Sequence, residues 1–356
     1  MKKSYNISLI AVGDKADFDS FKKLHRERKR LSGSNISYNW ITYADLIKGR
    51  TPRIRSDRAL FFPFFPFDYW NKNIETKRYR GVYGSEEFYK KFTNFFSTVE
   101  KAIGRGFCGK EIYFVNMPHL VSRCRDRLSV KRLMLENGIS TPPLHKLTGV
   151  NDIYKILSEG RSLFIKVRYG SMGKGITFIS PSIWKTNFVL RNNKILSRKS
   201  DHGWHFRDIV KREKFVEKLL RADVYAEEAI DSYLVRGRKF DLRIYVFYGE
   251  VIFVYPRTND PSKITTNISQ QGKGERSNFL ASLPKRSVDR MKREAVKAAG
   301  VLGLNFAGVD VILDRNLKDV YVLDINAFPG FPKKKTFNLA KHITDTLKTL
   351  ANRPSL

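Results

Sequence analysis

Cysteine is scarce in this sequence. The chain of 356 residues has two, Cys108 and Cys124. Two cysteines cannot form a disulfide framework, and their spacing is not that of a metal site. Because such cysteine usage is typical of a reducing compartment, we expect a cytoplasmic protein.

Long apolar runs are also missing. No segment approaches the roughly 20 apolar residues that a membrane-spanning helix needs, so no transmembrane segment is predicted. The start, Met1-Lys-Lys, resembles that of a signal peptide. However, the apolar part that follows is short and leads into Asp14-Lys-Ala-Asp17 without a cleavage-like site. We interpret residues 7–12 as a first β-strand.

Acidic residues are few compared with basic ones. There are 35 Asp and Glu against 67 Lys and Arg, which gives a net charge of +32. The resulting positive field attracts anions, whether nucleotide, acidic substrate, nucleic acid or an anionic membrane surface. The excess is spread along the chain, so a generally basic composition explains it equally well. No sequence motif of a nucleic-acid-binding module supports nucleic acid as the partner.

The composition is that of a folded protein with more than one domain. Hydrophobic residues make up 42% of the chain, and there is no low-complexity tract. Residues 1–120 alternate apolar strands with amphipathic helical stretches, as in an open α/β domain. The aromatic and proline-rich segment 61–70 within them is predicted to pack between domains, and an aromatic platform for substrate is the alternative.

Two neighbouring apolar strands carry oxygen-bearing side chains. Asp310 interrupts the run 308–313, and Asp324 and Asn326 interrupt the run 321–330. Carboxylate and amide oxygens are the ligands that Mg²⁺ prefers, and protein Mg²⁺ sites commonly also hold nucleotide phosphates. The sequence therefore predicts a Mg²⁺ site beside ATP.

A glycine-rich segment, Gly170-Ser-Met-Gly-Lys-Gly175, joins two predicted strands at 163–167 and 176–179. Its backbone N–H groups are unobstructed and can fold over phosphate oxygens, although a structural hairpin is the alternative. Lys166 lies inside the first strand, where a buried ammonium group needs an anionic partner. Phosphate is the predicted partner, and an outward-facing position on an edge strand is the alternative.

Two arginines lie on predicted strands of the last third of the chain. Arg243 shares a strand face with Asp241, and Arg257 follows Pro256 at the end of the next strand. A cross-strand salt bridge explains Asp241 and Arg243 as well as a substrate site does. Arg257 is the better candidate for contacting a transferring phosphoryl group.

Four segments in order resemble the ATP-grasp superfamily over roughly residues 120–345. They are Asp126 to Lys131 followed by Gly138 to Pro143, Ile165 to Gly175 with the glycine segment at its end, Glu227 to Ile230, and Asp310 with Asp324-Ile-Asn326. The ordered set resembles ribosomal-protein S6 glutamate ligases, glutathione synthetases, tubulin–tyrosine ligases and spore-coat ATP-grasp proteins. Asp324-Ile-Asn326 is also similar to inositol trisphosphate 5/6-kinases.

The resemblance implies an α/β (α+β) ATP-grasp fold. It consists of an N-terminal domain at 1–120, a small subdomain with the glycine segment at 121–226, and a large subdomain with the metal site at 227–356. It also implies roles for individual residues. Those implied to contact ATP are Arg127, Lys131, Lys166, Ser171, Gly173, Gly175, Glu227, Glu228 and Ile230. Those implied to hold one or two Mg²⁺, with Mn²⁺ as a substitute, are Asp310, Asp324 and Asn326.

We expect an ATP-dependent carboxylate–amine ligase that acts through an acylphosphate, with an amino acid or peptide as substrate. Lys166, Arg243 and Arg257 are the expected catalytic cations. One alternative is a kinase of a polyanionic small molecule such as an inositol phosphate. A second is a non-catalytic protein that binds nucleic acid or an anionic surface.

Overall fold

The structure is a computed structural model of the chain. It describes residues 6–14, 19–76, 79, 81–191, 194–196, 204–209 and 211–351. No helix in these ranges has the length and hydropathy needed to cross a bilayer.

The N-terminal part contains a parallel sheet with flanking helices. Its strands are β1 (Ile7–Gly13), β2 (Ile36–Thr42), β3 (Arg58–Pro63) and β4 (Glu111–Phe114). Its helices are α1 (Asp19–Glu27), α2 (Tyr43–Ile47), α3 (Phe67–Tyr69), α4 (Glu86–Gly106) and α5 (Pro118–Arg123). The strand order is β2-β1-β3-β4, which places β2 and β4 at the edges.

The central part is built on an antiparallel sheet. Its strands are β5 (Leu144–His145), β6 (Leu163–Val167), β7 (Ile176–Ile179), β8 (Trp184–Thr186), β9 (Val189–Arg191), β10 (Lys194–Leu196), β11 (Arg207–Asp208) and β12 (Val224–Glu228). Its helices are α6 (Arg127–Glu136), α7 (Val150–Ser158) and α8 (Arg212–Leu219). The sheet order is β11-β8-β7-β6-β12-β5, and β9 pairs with β10 as a separate hairpin.

The C-terminal part has a second antiparallel sheet. Its strands are β13 (Leu234–Val235), β14 (Arg238–Phe247), β15 (Glu250–Asn259), β16 (Lys273–Gly274), β17 (Phe306–Leu313) and β18 (Val320–Asn326), and its helices are α9 (Lys285–Val301) and α10 (Leu339–Ala351). The order is β16-β15-β14-β17-β18, with β13 also on β14. Every residue of β17 is buried, as its apolar sequence predicts.

Local sequence signals account for the main helix boundaries. The Asp126 side chain accepts a hydrogen bond from the Ser129 N–H at 3.2 Å and caps α6, as N-terminal aspartates do. Gly138 follows α6 with φ of +66°, a conformation that favours glycine.

The aromatic segment 61–70 packs against the C-terminal part. The rings of Phe62 and Phe306 lie 5.6 Å apart, and those of Phe65 and Phe328 lie 5.7 Å apart. Phe64 is buried and lies 6.3 Å from Phe331. This segment therefore joins the N-terminal sheet to the C-terminal one, which is the packing role predicted for it.

Candidate active site

The two antiparallel sheets face each other across a cleft of about 770 Å³. Most of the residues predicted to bind ATP or metal line it. They are Arg127, Lys166, Ser171, Gly173, Glu227, Glu228, Ile230, Asp310 and Asp324. Lys131, Arg243, Arg257 and Asn326 lie behind this lining and contact it. Gly175 is the last residue of the glycine segment, and its carbonyl accepts a hydrogen bond from the Val167 N–H at 3.1 Å.

Glu227 joins two lysines in the wall of the cleft. Its carboxylate forms ion pairs with Lys166 and, at 2.8 Å, with Lys131. Burial by itself would raise the pKa of Glu227, but the two ammonium groups outweigh it and lower that pKa. Burial lowers the pKa of Lys131, and Glu227 offsets part of that effect. The anion that Lys166 was predicted to need is, in this structure, Glu227.

Asp310 accepts a bidentate pair of hydrogen bonds from Arg243, whose Nε and Nη2 each lie 2.7 Å from a carboxylate oxygen. Arg257 Nη2 lies 3.0 Å from Asp310 Oδ1. Burial would raise the pKa of Asp310, but the two guanidinium groups outweigh it and lower the pKa to about 2. Asp310 is therefore ionised at neutral pH, and arginines hold both of its carboxylate oxygens.

Asp241 holds Arg257 in place. Its carboxylate oxygens lie 2.7 and 2.5 Å from Arg257, and Thr266 donates a hydrogen bond of 2.7 Å to it. A cross-strand salt bridge, one of the two interpretations of Asp241 and Arg243, is thus made between Asp241 and Arg257. Asp241 and Arg257 lie opposite each other in the pairing of β14 with β15, and β15 continues to Asn259, so Arg257 lies inside the strand.

Asp310 and Asp324 lie directly opposite each other on β17 and β18. Asp324 forms an ion pair with Arg127, and the side-chain nitrogen of Asn326 lies 3.5 Å from Asp324. Two carboxylates and an amide are a hard oxygen donor set that fits Mg²⁺. Among the described residues, no group of three or more His, Cys, Asp or Glu side chains forms a site without nucleotide. Phosphate oxygens and water would complete the coordination.

Contacts from the N-terminal part hold the glycine segment. The Tyr83 hydroxyl accepts the Ser171 N–H at 3.1 Å, and Lys174 Nζ lies 2.6 Å from Glu75. Ser269, on the other side of the cleft, donates a hydrogen bond of 3.1 Å to the Met172 carbonyl. The segment is therefore fixed over the cleft from two sides.

Sequence reasoning missed the residues that hold the glycine segment. Tyr83 and Glu75 lie about 90 to 100 positions before their partners and belong to no motif. It also missed a cation–π contact of Arg125, whose guanidinium carbon lies 4.0 Å from the centre of the Trp70 ring. Burial lowers the pKa of Arg125 to about 10.

Known proteins provide an independent comparison. The YheC/D-like ATP-grasp family matches residues 126–353. A curated relative, a probable alpha-L-glutamate ligase 2 from Hahella chejuensis, is 24% identical over 72% of this chain and 74% of its own. In other curated alpha-L-glutamate ligases that the chain matches, the aligned part is 42% to 64% of the relative's length.

Two solved structures share the fold across almost the whole chain. The ATP-grasp ligase PsnB, complexed with a phosphomimetic variant of a minimal precursor, Mg and ADP, has a TM-score of 0.58 at 14% identity and covers 98% of this chain and all of its own. D-alanine–D-alanine ligase from Bacillus anthracis, complexed with ATP, has a TM-score of 0.53 at 16% identity, covering 98% and 97%. The chain therefore belongs to the YheC/D-like ATP-grasp family, which confirms the superfamily, the mixed α/β fold and the enzyme class, an ATP-grasp ligase, that its sequence predicts.

Proposed function

We propose that this protein uses ATP and Mg²⁺ to join a carboxylate to an amine through an acylphosphate intermediate. The observation that carries the proposal is the meeting, in or directly behind the lining of one cleft, of three cations on the central sheet side and two carboxylates on the C-terminal sheet. The cations are Arg127, Lys131 and Lys166, and the carboxylates are Asp310 and Asp324. This is the charge arrangement that a triphosphate and its divalent cation require.

Lys166 and Lys131 would bind the phosphates of ATP. Both are paired with Glu227 in this structure, so phosphate oxygens would compete with that carboxylate. Ser171 and Gly173 would cover the phosphates from the glycine segment. The segment between Glu227 and Ile230 would face the adenine ring.

Asp310, Asp324 and Asn326 are the side chains that would hold Mg²⁺. When bound, Mg²⁺ neutralises charge on the phosphoryl group during transfer. Arg243, Arg257 and Arg127 neutralise the two carboxylates in this structure and would have to release them at least in part.

The proposed reaction has two steps. A substrate carboxylate oxygen attacks the γ-phosphorus in line, the bond to ADP breaks, and an acylphosphate forms. The amine then attacks the acyl carbon, phosphate leaves with that carboxylate oxygen, and the amine loses a proton. Arg243 and Arg257 lie beside Asp310 and would stabilise the negative charge of the transferring group. The glycine segment would exclude the water that hydrolyses an acylphosphate.

An amino acid or peptide is the proposed substrate. The curated relatives are named alpha-L-glutamate ligases, and PsnB is complexed with a precursor peptide. A net charge of +32 is suited to an anionic substrate, which makes glutamate the first candidate to test. A cytoplasmic location and the use of Mn²⁺ stay predictions.

Hydroxylamine trapping tests this proposal. The protein is incubated with ATP, Mg²⁺, glutamate and hydroxylamine, and the hydroxamate is measured by mass spectrometry. We expect hydroxamate formation that needs both ATP and Mg²⁺, and a fall of roughly 100-fold in Asp324→Asn, since a lost metal ligand removes several kcal/mol of charge stabilisation. Asp319→Asn, at an exposed position, is the matched control. A stable phosphate monoester of an added polyol, with no hydroxamate from any carboxylate, would instead identify a kinase.

A further inference from the structure

A second cleft, of about 480 Å³, lies at the amino end of β2 in the N-terminal sheet. Three stretches of chain line it: the turn from Arg28 to Gly33, the strand start from Ile36 to Asn39, and the extended segment from Arg53 to Arg55. It shares no lining residue with the ATP cleft. From the carboxyl end of β3 the chain runs towards the ATP cleft, where Phe65 contacts Phe328 and Glu75 pairs with Lys174 of the glycine segment. The second cleft therefore lies at the opposite end of the sheet.

The charge around this cleft is strongly positive. Residues 22–55 contain 10 Lys and Arg but only two acidic residues, Glu27 and Asp45. Both are already engaged, since Glu27 pairs with Arg30 at 2.7 Å and Asp45 pairs with Arg50 at 2.5 Å. No carboxylate is among the described residues that line the cleft.

Arg28, Arg53 and Arg55 are exposed around the cleft. Arg28 donates a hydrogen bond of 2.8 Å to the His25 carbonyl, and none of the three has a carboxylate within ion-pair distance in the part of the chain that the structure describes. Guanidinium groups bind carboxylates through paired N–H donors. Their convergence on one concave surface indicates a partner that carries several anionic groups.

The strand beside the cleft has an open edge. Within the described ranges β2 pairs with β1 on one side only and forms the border of its sheet. An edge strand presents N–H and C=O groups that a second extended chain can pair with. A peptide that lay along β2 would have its side chains within reach of the arginines.

These features favour a peptide over nucleic acid. An edge strand presents regularly spaced N–H and C=O groups, which match the backbone of another polypeptide but not the sugar–phosphate backbone of nucleic acid. Tyr38 is half-buried, and its hydroxyl lies 3.1 Å from His25 Nδ1, so its ring is not a free platform for stacking bases. We infer that this cleft docks an extended peptide segment rich in glutamate or aspartate. The inference goes beyond the proposed ligase reaction because the docking site is separate from the ATP cleft and needs no nucleotide.

Fluorescence anisotropy with a labelled octaglutamate peptide tests the inference. The full chain is titrated without ATP or Mg²⁺ at physiological ionic strength, and octaglutamine serves as the uncharged probe. We expect saturable binding of octaglutamate, a loss of about 10-fold or more in affinity for Arg53→Gln/Arg55→Gln, and no binding of octaglutamine. Lys285→Gln/Arg286→Gln removes the same charge from two exposed residues at the start of α9 and should change affinity less than two-fold.

Hydrogen exchange provides a measurement that needs no variant. Octaglutamate should slow amide exchange in residues 36–40 of the unaltered protein more than in α9. Equal loss of affinity in the two double variants, or no protection of β2, would overturn the inference. It would also be overturned if a single-stranded RNA protected β2 and depended on Arg53 and Arg55 while octaglutamate did not. Neither result bears on hydroxamate formation, so this inference and the ligase proposal can fail separately.

Discussion

Replacing Glu227 with glutamine tests the charge arrangement of the ATP cleft. The Lys131 side chain is 3% exposed and that of Lys166 is 21% exposed, and both pair with this one carboxylate. Removing one partner of a buried ion pair commonly costs 3–5 kcal/mol, because the other charge stays buried without compensation. Lys131 also donates to the Leu323 carbonyl at 3.0 Å, and burial favours its neutral form. We therefore expect a loss near the lower limit, about 3 kcal/mol.

Thermal unfolding provides the assay. For a folded unit of 150–250 residues, about 3 kcal/mol corresponds to a fall in Tm of roughly 6–12 °C, and the ATP-grasp family match spans 126–353. The matched control is Glu228→Gln, since Glu228 is 24% exposed and pairs with Arg161 at 3.1 Å near the surface. Such a partly exposed pair is worth about 1 kcal/mol or less.

The effects of ATP and of low pH on stability test the same charge arrangement. ATP should raise the Tm of Glu227→Gln more than that of the unaltered protein, because phosphate oxygens then meet lysines that have no competing carboxylate. Folding lowers the pKa of Glu227 below its ordinary 4.5. The pairing therefore stabilises the fold at neutral pH, and its contribution is lost as pH falls below 4.5. Equal effects of the two glutamine variants, or no extra stabilisation by ATP, would refute this account.

Two further predictions concern packing and acid stability. Gly84 has φ of +76°, and an added Cβ would meet Val167 Cγ2 at 2.8 Å, so Gly84→Ala should lower the free energy of unfolding by about 2 kcal/mol or more. Gly237→Ala, at φ of +72° with open space, should cost about 1 kcal/mol, and equal losses in urea unfolding would contradict the packing argument. The pKa of Asp310 is lowered from 3.8 to about 2, so about 2 kcal/mol of stability should disappear as pH falls through that range. A difference in Tm between the unaltered protein and Asp310→Asn that stays constant from pH 5 to pH 2 would contradict it.

The parts of the site that the sequence predicts lie close together along the chain. Asp310 and Asp324 belong to consecutive strands, so hairpin pairing alone brings them opposite each other. Lys166 is four residues from the glycine segment on the same strand and turn. In these cases the strand pattern and the turn determine the geometry.

The parts that sequence reasoning missed depend on contacts between distant elements. Lys174 is 99 residues from Glu75, and no local pattern shows that its ammonium group pairs with a carboxylate of the N-terminal part. Asp310 was predicted as a metal ligand, but its pairing with both Arg243 and Arg257 depends on the register of three strands. The short strands between residues 181 and 220 lack the periodicity that identifies longer ones.

The fate of a labelled oxygen tests the proposed chemistry most directly. The protein is incubated with ATP, Mg²⁺, an amine acceptor and glutamate whose reacting carboxylate carries ¹⁸O, and the released phosphate is analysed by mass spectrometry. An acylphosphate pathway transfers one carboxylate oxygen to phosphate in each turnover, so the phosphate should contain one ¹⁸O atom. Amide formation with phosphate free of label would contradict the central claim that the cleft activates the carboxylate by phosphorylation.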